Sequence, residues 1–155
     1  VIESFRLLKN IYGIPRRQYE QNMEKFGEIL GIHEFLSQPA RKLSLGQRVR
    51  ADLAASLLHE PPVLFLDEPT IGVDVTAKQK IYAFLKEINR EKKTTILLTS
   101  HDMKDLESIC QRLLILEKGR ILFDDTIDKL LEKYGGGMTL EEIIIRLFEH
   151  GAVVA

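Results

Sequence analysis

Val63-Leu64-Phe65-Leu66-Asp67-Glu68-Pro69 is the stretch on which the fold turns. Four unbroken apolar residues suit a strand of a parallel sheet with both faces covered, and the run ends by delivering two adjacent carboxylates to the strand's C-terminal tip. Ligand sites in α/β sheets lie at that edge. A second unbroken run, Thr95-Ile96-Leu97-Leu98, follows, and Ile81, Phe84, Leu85 and Ile88 between the two share one helical face. Strand, helix and strand at this length predict a right-handed crossover unit and place the chain in the α/β class.

Upstream of the strand the period becomes helical. Ile2, Phe5, Leu8 and Tyr12 recur at helical spacing until Gly13-Ile14-Pro15 stops the run. Tyr19, Met23, Phe26 and Leu30 form a second stripe closed by Gly31, so the N-terminal segment reads as a helical pair. Ser44 opens a third helix through Val49, Leu53 and Leu57, ended by Glu60-Pro61-Pro62. Downstream, Leu113-Leu114-Ile115-Leu116 and Ile121-Leu122-Phe123 flank Glu117-Lys118-Gly119-Arg120, which predicts a β-hairpin at an antiparallel edge of the sheet. Gly135-Gly136-Gly137 reads as a flexible joint. Thr139 with Glu142 has the spacing of a capping box, opening a last helix whose Leu140, Ile143, Ile144, Leu147 and Phe148 share a face.

The 155 residues carry 22 Lys+Arg against 23 Asp+Glu, so no overall field draws the chain to nucleic acid or to an anionic lipid surface. Arg41, Lys42, Arg48 and Arg50 cluster, which reads as a solvated helix face. The single cysteine, Cys110, excludes an internal disulfide framework, fits a reducing compartment and is expected to be a small core residue rather than a nucleophile. No apolar run approaches the roughly 18 residues that cross a bilayer, and no charged-then-apolar leader opens the chain. The first residue is Val1 rather than an initiator methionine, which points to a further upstream segment.

The chemistry gathers at three places. Asp67 at a strand tip suits Mg²⁺, a hard cation that keeps most of its water, and Glu68 beyond it is placed to orient or deprotonate a water attacking a γ-phosphate. The plainer alternative is that Asp67-Glu68-Pro69-Thr70 is a polar strand exit with a proline turn. Leu43-Ser44-Leu45-Gly46-Gln47 sets a hydroxyl, a glycine N–H and an amide at the positive end of the third helix, where anions bind readily. Ser44 and Gln47 also have the spacing of a capping box, and both descriptions are expected to hold. His101 follows the second strand by way of Thr99 and Ser100, and taken alone it reads as structural.

Together these segments resemble the nucleotide-binding subunits of ATP-binding cassette (ABC) proteins. Leu43-Ser44-Leu45-Gly46-Gln47 resembles the ABC signature, Val63 to Glu68 the Walker B strand with its following glutamate, Ile71-Gly72-Val73-Asp74 the D-loop, and His101 the switch histidine. All four stand in family order over residues 43 to 101, and weaker likeness extends to both sides. The resemblance implies the C-terminal part of a P-loop NTPase domain: an incomplete helical subdomain (1–42), a core with a mainly parallel sheet and flanking helices (43–123), and a tail with a terminal helix (124–155). It implies ATP and Mg²⁺ as cofactors and two subunits closing head to tail around two ATP molecules. Ser44, Gly46 and Gln47 then act in trans on the γ-phosphate, and Asp67 helps hold Mg²⁺. Glu68 is the general base, His101 hydrogen-bonds the γ-phosphate, and Asp74 joins the two sites.

Two departures stand out. Leu45 occupies a position where the commonest family pattern has glycine. No glycine in the chain is followed by lysine, so the phosphate-cradling G-x-x-x-x-G-K-[ST] loop is absent, together with the family's adenine-stacking aromatic and Q-loop glutamine. Phosphoryl transfer depends almost wholly on positioning and charge stabilisation, so the 155-residue chain alone is expected not to hydrolyse ATP. It is also expected to expose a parallel sheet edge and apolar surface, and so to self-associate. The resemblance points to a transporter subunit that pairs with a second ATP-binding subunit and a membrane-spanning permease, peripheral at the cytoplasmic face of the cell membrane, with no nucleic-acid partner. The rival expectations are a soluble ABC ATPase acting on nucleic acid or ribosomes, and a non-catalytic interaction module.

Overall fold

The computed structural model describes residues 1–150, His150 for its backbone only, and the chain divides into one unit spanning Val1–Thr99 and a second beginning at Ser100. In the first unit, α1 (Ile2–Ile11) and α2 (Arg16–Leu30) form the helical pair. Pro15 precedes α2 with its φ already set for a helix start, and Gly31 ends it at φ 62°, a left-handed cap that costs glycine nothing. Met23, Phe26 and Leu30 are buried as the stripe requires, and Phe26 meets Phe84 edge-on at 5.7 Å between ring centroids. Asn22, buried among them, donates from Nδ2 to the Leu58 carbonyl at 3.0 Å, so its amide is satisfied.

Helix α3 (Leu45–Leu57) leads to β1 (Val63–Asp67), α4 (Val75–Lys92) and β2 (Thr95–Thr99). β1 and β2 pair in parallel with Val63 opposite Thr95 and Asp67 opposite Thr99, so the crossover through α4 forms as the pattern predicts. Ile81, Phe84, Leu85 and Ile88 of α4 are all buried. At the lower end of the strands the buried Thr94 donates to the Pro61 carbonyl at 3.2 Å and its own carbonyl accepts from Asn89 at 2.9 Å. The expectation of two covered strand faces is corrected: Leu64 is buried, but Val63, Phe65 and Leu97 are exposed, Phe65 at 73%. An unbroken apolar run shows that both faces are suited to burial; within the first unit the face bearing Val63, Phe65 and Leu97 is left uncovered.

The second unit contains α5 (Met103–Ile109), β3 (Arg112–Glu117), β4 (Arg120–Thr126), α6 (Ile127–Tyr134) and α7 (Leu140–His150). β3 and β4 form the expected hairpin across Lys118-Gly119, whose φ values of 48° and 77° give the doubly left-handed turn that matches strand twist. They make a two-stranded sheet of their own rather than an edge added to β1 and β2. Thr126 caps α6, accepting from the Lys129 N–H at 3.3 Å, and Thr139 with Glu142 forms the expected box at the start of α7. Leu140, Ile143, Ile144 and Leu147 are buried, while Phe148 at the end of the stripe is exposed. At the triple glycine the Gly135 N–H closes α6 on the Leu131 carbonyl at 2.7 Å, and the Met138 N–H bonds the Gly135 carbonyl across a turn. Cys110 is half-buried at the end of α5, where its N–H closes the helix on Leu106, so it is not the core residue expected.

Candidate functional site

The start of α3 is built as a reciprocal cap. The Gln47 N–H donates to Ser44 Oγ at 3.2 Å, and the Ser44 N–H donates to Gln47 Oε1 at 3.0 Å. Two orphan donors of the first turn are thereby satisfied and the turn is held in one geometry, with Ser44 facing outward. Gly46 lies against the loop after β1: a Cβ added there would come within 2.7 Å of the Gly72 carbonyl oxygen. Leu45 lies over Gly72 from the same turn, so that a Cβ on Gly72 would meet Leu45 Cδ2 at 2.6 Å. Leu45 therefore seats the helix start on loop 71–74 while remaining 55% exposed.

That loop is itself fixed at both ends. Thr70 and Tyr82 share a buried hydrogen bond of 2.9 Å between their hydroxyls, tying the segment after Pro69 to α4. Asp74 is the N-cap of α4, accepting from the Ala77 N–H at 3.0 Å. This backbone donor, joined by the field of Arg50, holds the Asp74 carboxyl below the usual carboxylate range. A cleft of about 450 Å³ opens between α2, α3 and α4 with Arg50, Asp74 and Lys80 on its walls; Ser44, Asp67 and Glu68 are not among its lining residues.

At the tip of β1 the two carboxylates are held differently. The Thr99 hydroxyl donates to Asp67 Oδ1 at 2.5 Å, and Thr99 Oγ1 in turn accepts from the Glu68 N–H at 3.2 Å. Glu68 adopts φ 47°, a left-handed conformation uncommon for a residue with a side chain, and its carbonyl accepts from the Ile71 N–H at 3.2 Å. The structure thus joins Asp67, Glu68 and Thr99 in one cluster, and Gly46, Leu45 and Gly72 in another. His101 belongs to the second unit, exposed, two residues past the end of β2 and just before Asp102, the N-cap of α5. Sequence reasoning passed over Thr99, treating it as a route to His101; its signal is the pairing of two equal-length strands, which sets a hydroxyl opposite the first carboxylate.

One exposed carboxylate at a strand tip fits Mg²⁺ in the manner that ion prefers, through one or two carboxylates with phosphate oxygens and water completing the shell. Among the described residues no group of three His, Cys, Asp or Glu side chains stands together as a metal site. No helix of the described residues is long and apolar enough to cross a membrane.

Residues 13–104 match the family model described as "AAA domain, putative AbiEii toxin, Type IV TA system". The ABC transporter ATP-binding protein NatA of Bacillus subtilis (strain 168) is 26% identical over 130 residues, covering 84% of this chain and 52% of that protein. The solved ATP-binding subunit of an ABC transporter superposes with a TM-score of 0.85 at 27% identity, covering 95% of this chain and 61% of that one. A dimeric post-hydrolysis state of the ATP-binding cassette MJ0796, bound to ADP and Pi, shares the fold at a TM-score of 0.65 and 23% identity, covering 74% of this chain and 49% of that one. The chain spans about half the length of the curated relative NatA. It belongs to the AAA-domain family matched over residues 13–104, and the relatives and solved structures it resembles are ABC transporter ATP-binding subunits.

Proposed function

We propose that this chain is the signature-bearing and Walker B part of a subunit that binds and hydrolyses ATP to energise membrane transport. The observation that carries the reading is the tip of β1, where Thr99 holds Asp67 and the left-handed Glu68 at the C-terminal edge of a parallel pair. In this reading Glu68 orients or deprotonates the attacking water, and His101 hydrogen-bonds the γ-phosphate. Ser44, Gly46 and Gln47 present the start of α3 to a γ-phosphate held by a second subunit, and Asp74 joins the two sites. Asp67 would hold Mg²⁺, which when bound neutralises charge on the β- and γ-phosphate oxygens.

The exposed apolar side chains Leu45, Ile71 and Val75 flank the helix start, a surface of the kind that a partner covers, and this supports pairing of two subunits there. The same reading takes residues 1–42 as the helical subdomain that meets a permease, 43–123 as the core, and 124–155 as the tail, of which 151–155 lie outside the described residues. The subunit then works at the cytoplasmic face of the membrane. The test is steady-state ATP turnover in the full-length subunit. Glu68→Gln should lower kcat by roughly 10² to 10⁴ while ATP still binds, as loss of a positioned base requires. Turnover at the wild-type rate in that variant removes Glu68 from this role.

A further inference from the structure

We infer that Thr99 is a positioning residue for the acidic pair, an inference that rests on the ATPase reading above. Asp67 and Thr99 are partners on the last rung of the parallel pair, so their side chains leave the sheet on the same face. A threonine hydroxyl has one proton and two acceptor sites. Here the proton goes to Asp67 Oδ1 at 2.5 Å, a short bond of the charge-assisted kind, and an acceptor site takes the Glu68 N–H at 3.2 Å. The donation to the carboxylate orients the hydroxyl so that its lone pairs face the Glu68 amide. One atom thereby sets the rotamer of the first carboxylate and the peptide plane that introduces the second.

The second effect matters more for chemistry. Glu68 sits at φ 47°, where few side-chain-bearing residues rest, so its conformation depends on what grips its backbone. Its carbonyl accepts from the Ile71 N–H three residues on, and its N–H is held by Thr99, 31 residues away on the neighbouring strand. The Ile71 bond is local and belongs to the turn. The Thr99 bond ties the direction in which the Glu68 side chain leaves the backbone to the sheet. A carboxylate that must meet a water in line with a phosphorus loses rate steeply when displaced by a fraction of an ångström to an ångström. Thr99 itself lies on the side of the acidic pair and acts through it, not on the nucleotide.

The test uses the full-length subunit with Mg²⁺ and ATP, comparing wild type with Thr99→Val, Thr99→Ser and Glu68→Gln. Valine keeps the branched shape and removes the hydroxyl; serine keeps the hydroxyl and removes the methyl. Thr99→Val should lose about 10- to 100-fold in kcat with KM for ATP within about threefold, and Thr99→Ser should stay within about threefold in both. Rates are expressed per nucleotide-binding chain, so a misfolded fraction does not enter, and Thr99→Ala replaces the valine variant should the latter not fold. A wild-type kcat in the hydroxyl-free variant, or an equal loss in Thr99→Ser, overturns the positioning role. A silent wild type, or Glu68→Gln at the wild-type rate, overturns the ATPase reading itself. An inactive Glu68→Gln beside an unimpaired Thr99→Val overturns the role of Thr99 alone.

Discussion

Gly46→Ala pits two effects of opposite sign against each other, and the structure decides between them. Gly46 is in the first turn of α3, and glycine inside a helix is less favourable than alanine by about 1 kcal/mol. Propensity alone would make the substitution stabilising. The new methyl, however, would stand 2.7 Å from the Gly72 carbonyl oxygen, where ordinary contact begins near 3.4 Å, so something must retreat by several tenths of an ångström. The atom in the way is backbone, in a turn where the Val73 N–H bonds Thr70 at 3.2 Å and Asp74 caps the next helix. Overpacking of this kind costs about 1 to 3 kcal/mol, which exceeds the helical gain. The expected result is a net loss of about 1 kcal/mol in the full-length subunit, read as a lower melting temperature. ATP-driven pairing should weaken as well, since the displaced loop is the one that flanks the helix start. A variant that melts higher by the full helical gain would refute the contact between Gly46 and Gly72.

Three further outcomes are expected. Ser44→Ala removes half of the reciprocal cap and should cost about 1 kcal/mol in thermal stability while also weakening ATP-dependent dimerisation; a change in stability alone would leave Ser44 as a cap and nothing more. Asp74, Asp124, Asp125 and Glu142 are all held below their ordinary carboxyl values, by the Ala77 N–H, by Arg112, by Lys129 and by the Thr139 N–H respectively. A depressed folded value means that their stabilisation is fully present above the ordinary values of 3.8 and 4.5 and is lost as pH falls through the lower folded ones, so the melting-temperature difference between wild type and Asp124→Asn should be constant from neutrality to about pH 5 and shrink below it; a difference that already shrinks at pH 6 would contradict this origin. The 155-residue chain by itself should show no ATP turnover and should self-associate through the open face bearing Val63, Phe65 and Leu97, with Phe65→Glu reducing the association; a wild-type monomer at high concentration in sedimentation would contradict this.

What could be read in the sequence divides along physical lines. Features set by neighbours in the chain were legible. The stripe of Met23, Phe26 and Leu30, the boxes Ser44/Gln47 and Thr139/Glu142, and the Lys118-Gly119 turn each depend on residues a few positions apart. Helix α6 escaped because its buried residues, Ile127 and Leu130, span too short a segment to declare a period. Features set by what lies across the sheet were not legible. The exposure of Phe65 depends on what covers the strand, and the separateness of the β3–β4 hairpin depends on pairing partners that no local pattern names. The candidate site divides in the same way. Asp67 and Glu68 stand out as an acidic pair after an apolar run, and Ser44 as a helix cap. The left-handed Glu68, the Thr99 bridge and the seat of Leu45 on Gly72 exist only once distant segments meet.

The central claim is that Glu68 of one subunit and Ser44 of another serve the same ATP. Complementation between two inactive full-length variants tests it most directly: one carries Glu68→Gln, the other Ser44→Arg. In a two-fold pair with shared sites, a mixed dimer contains one site in which both residues are wild type, so mixing the two inactive proteins should restore turnover, up to about a quarter of the wild-type rate if pairing is random. A mixture as inactive as its components would show that the two residues act within one chain or not at all, contradicting the account.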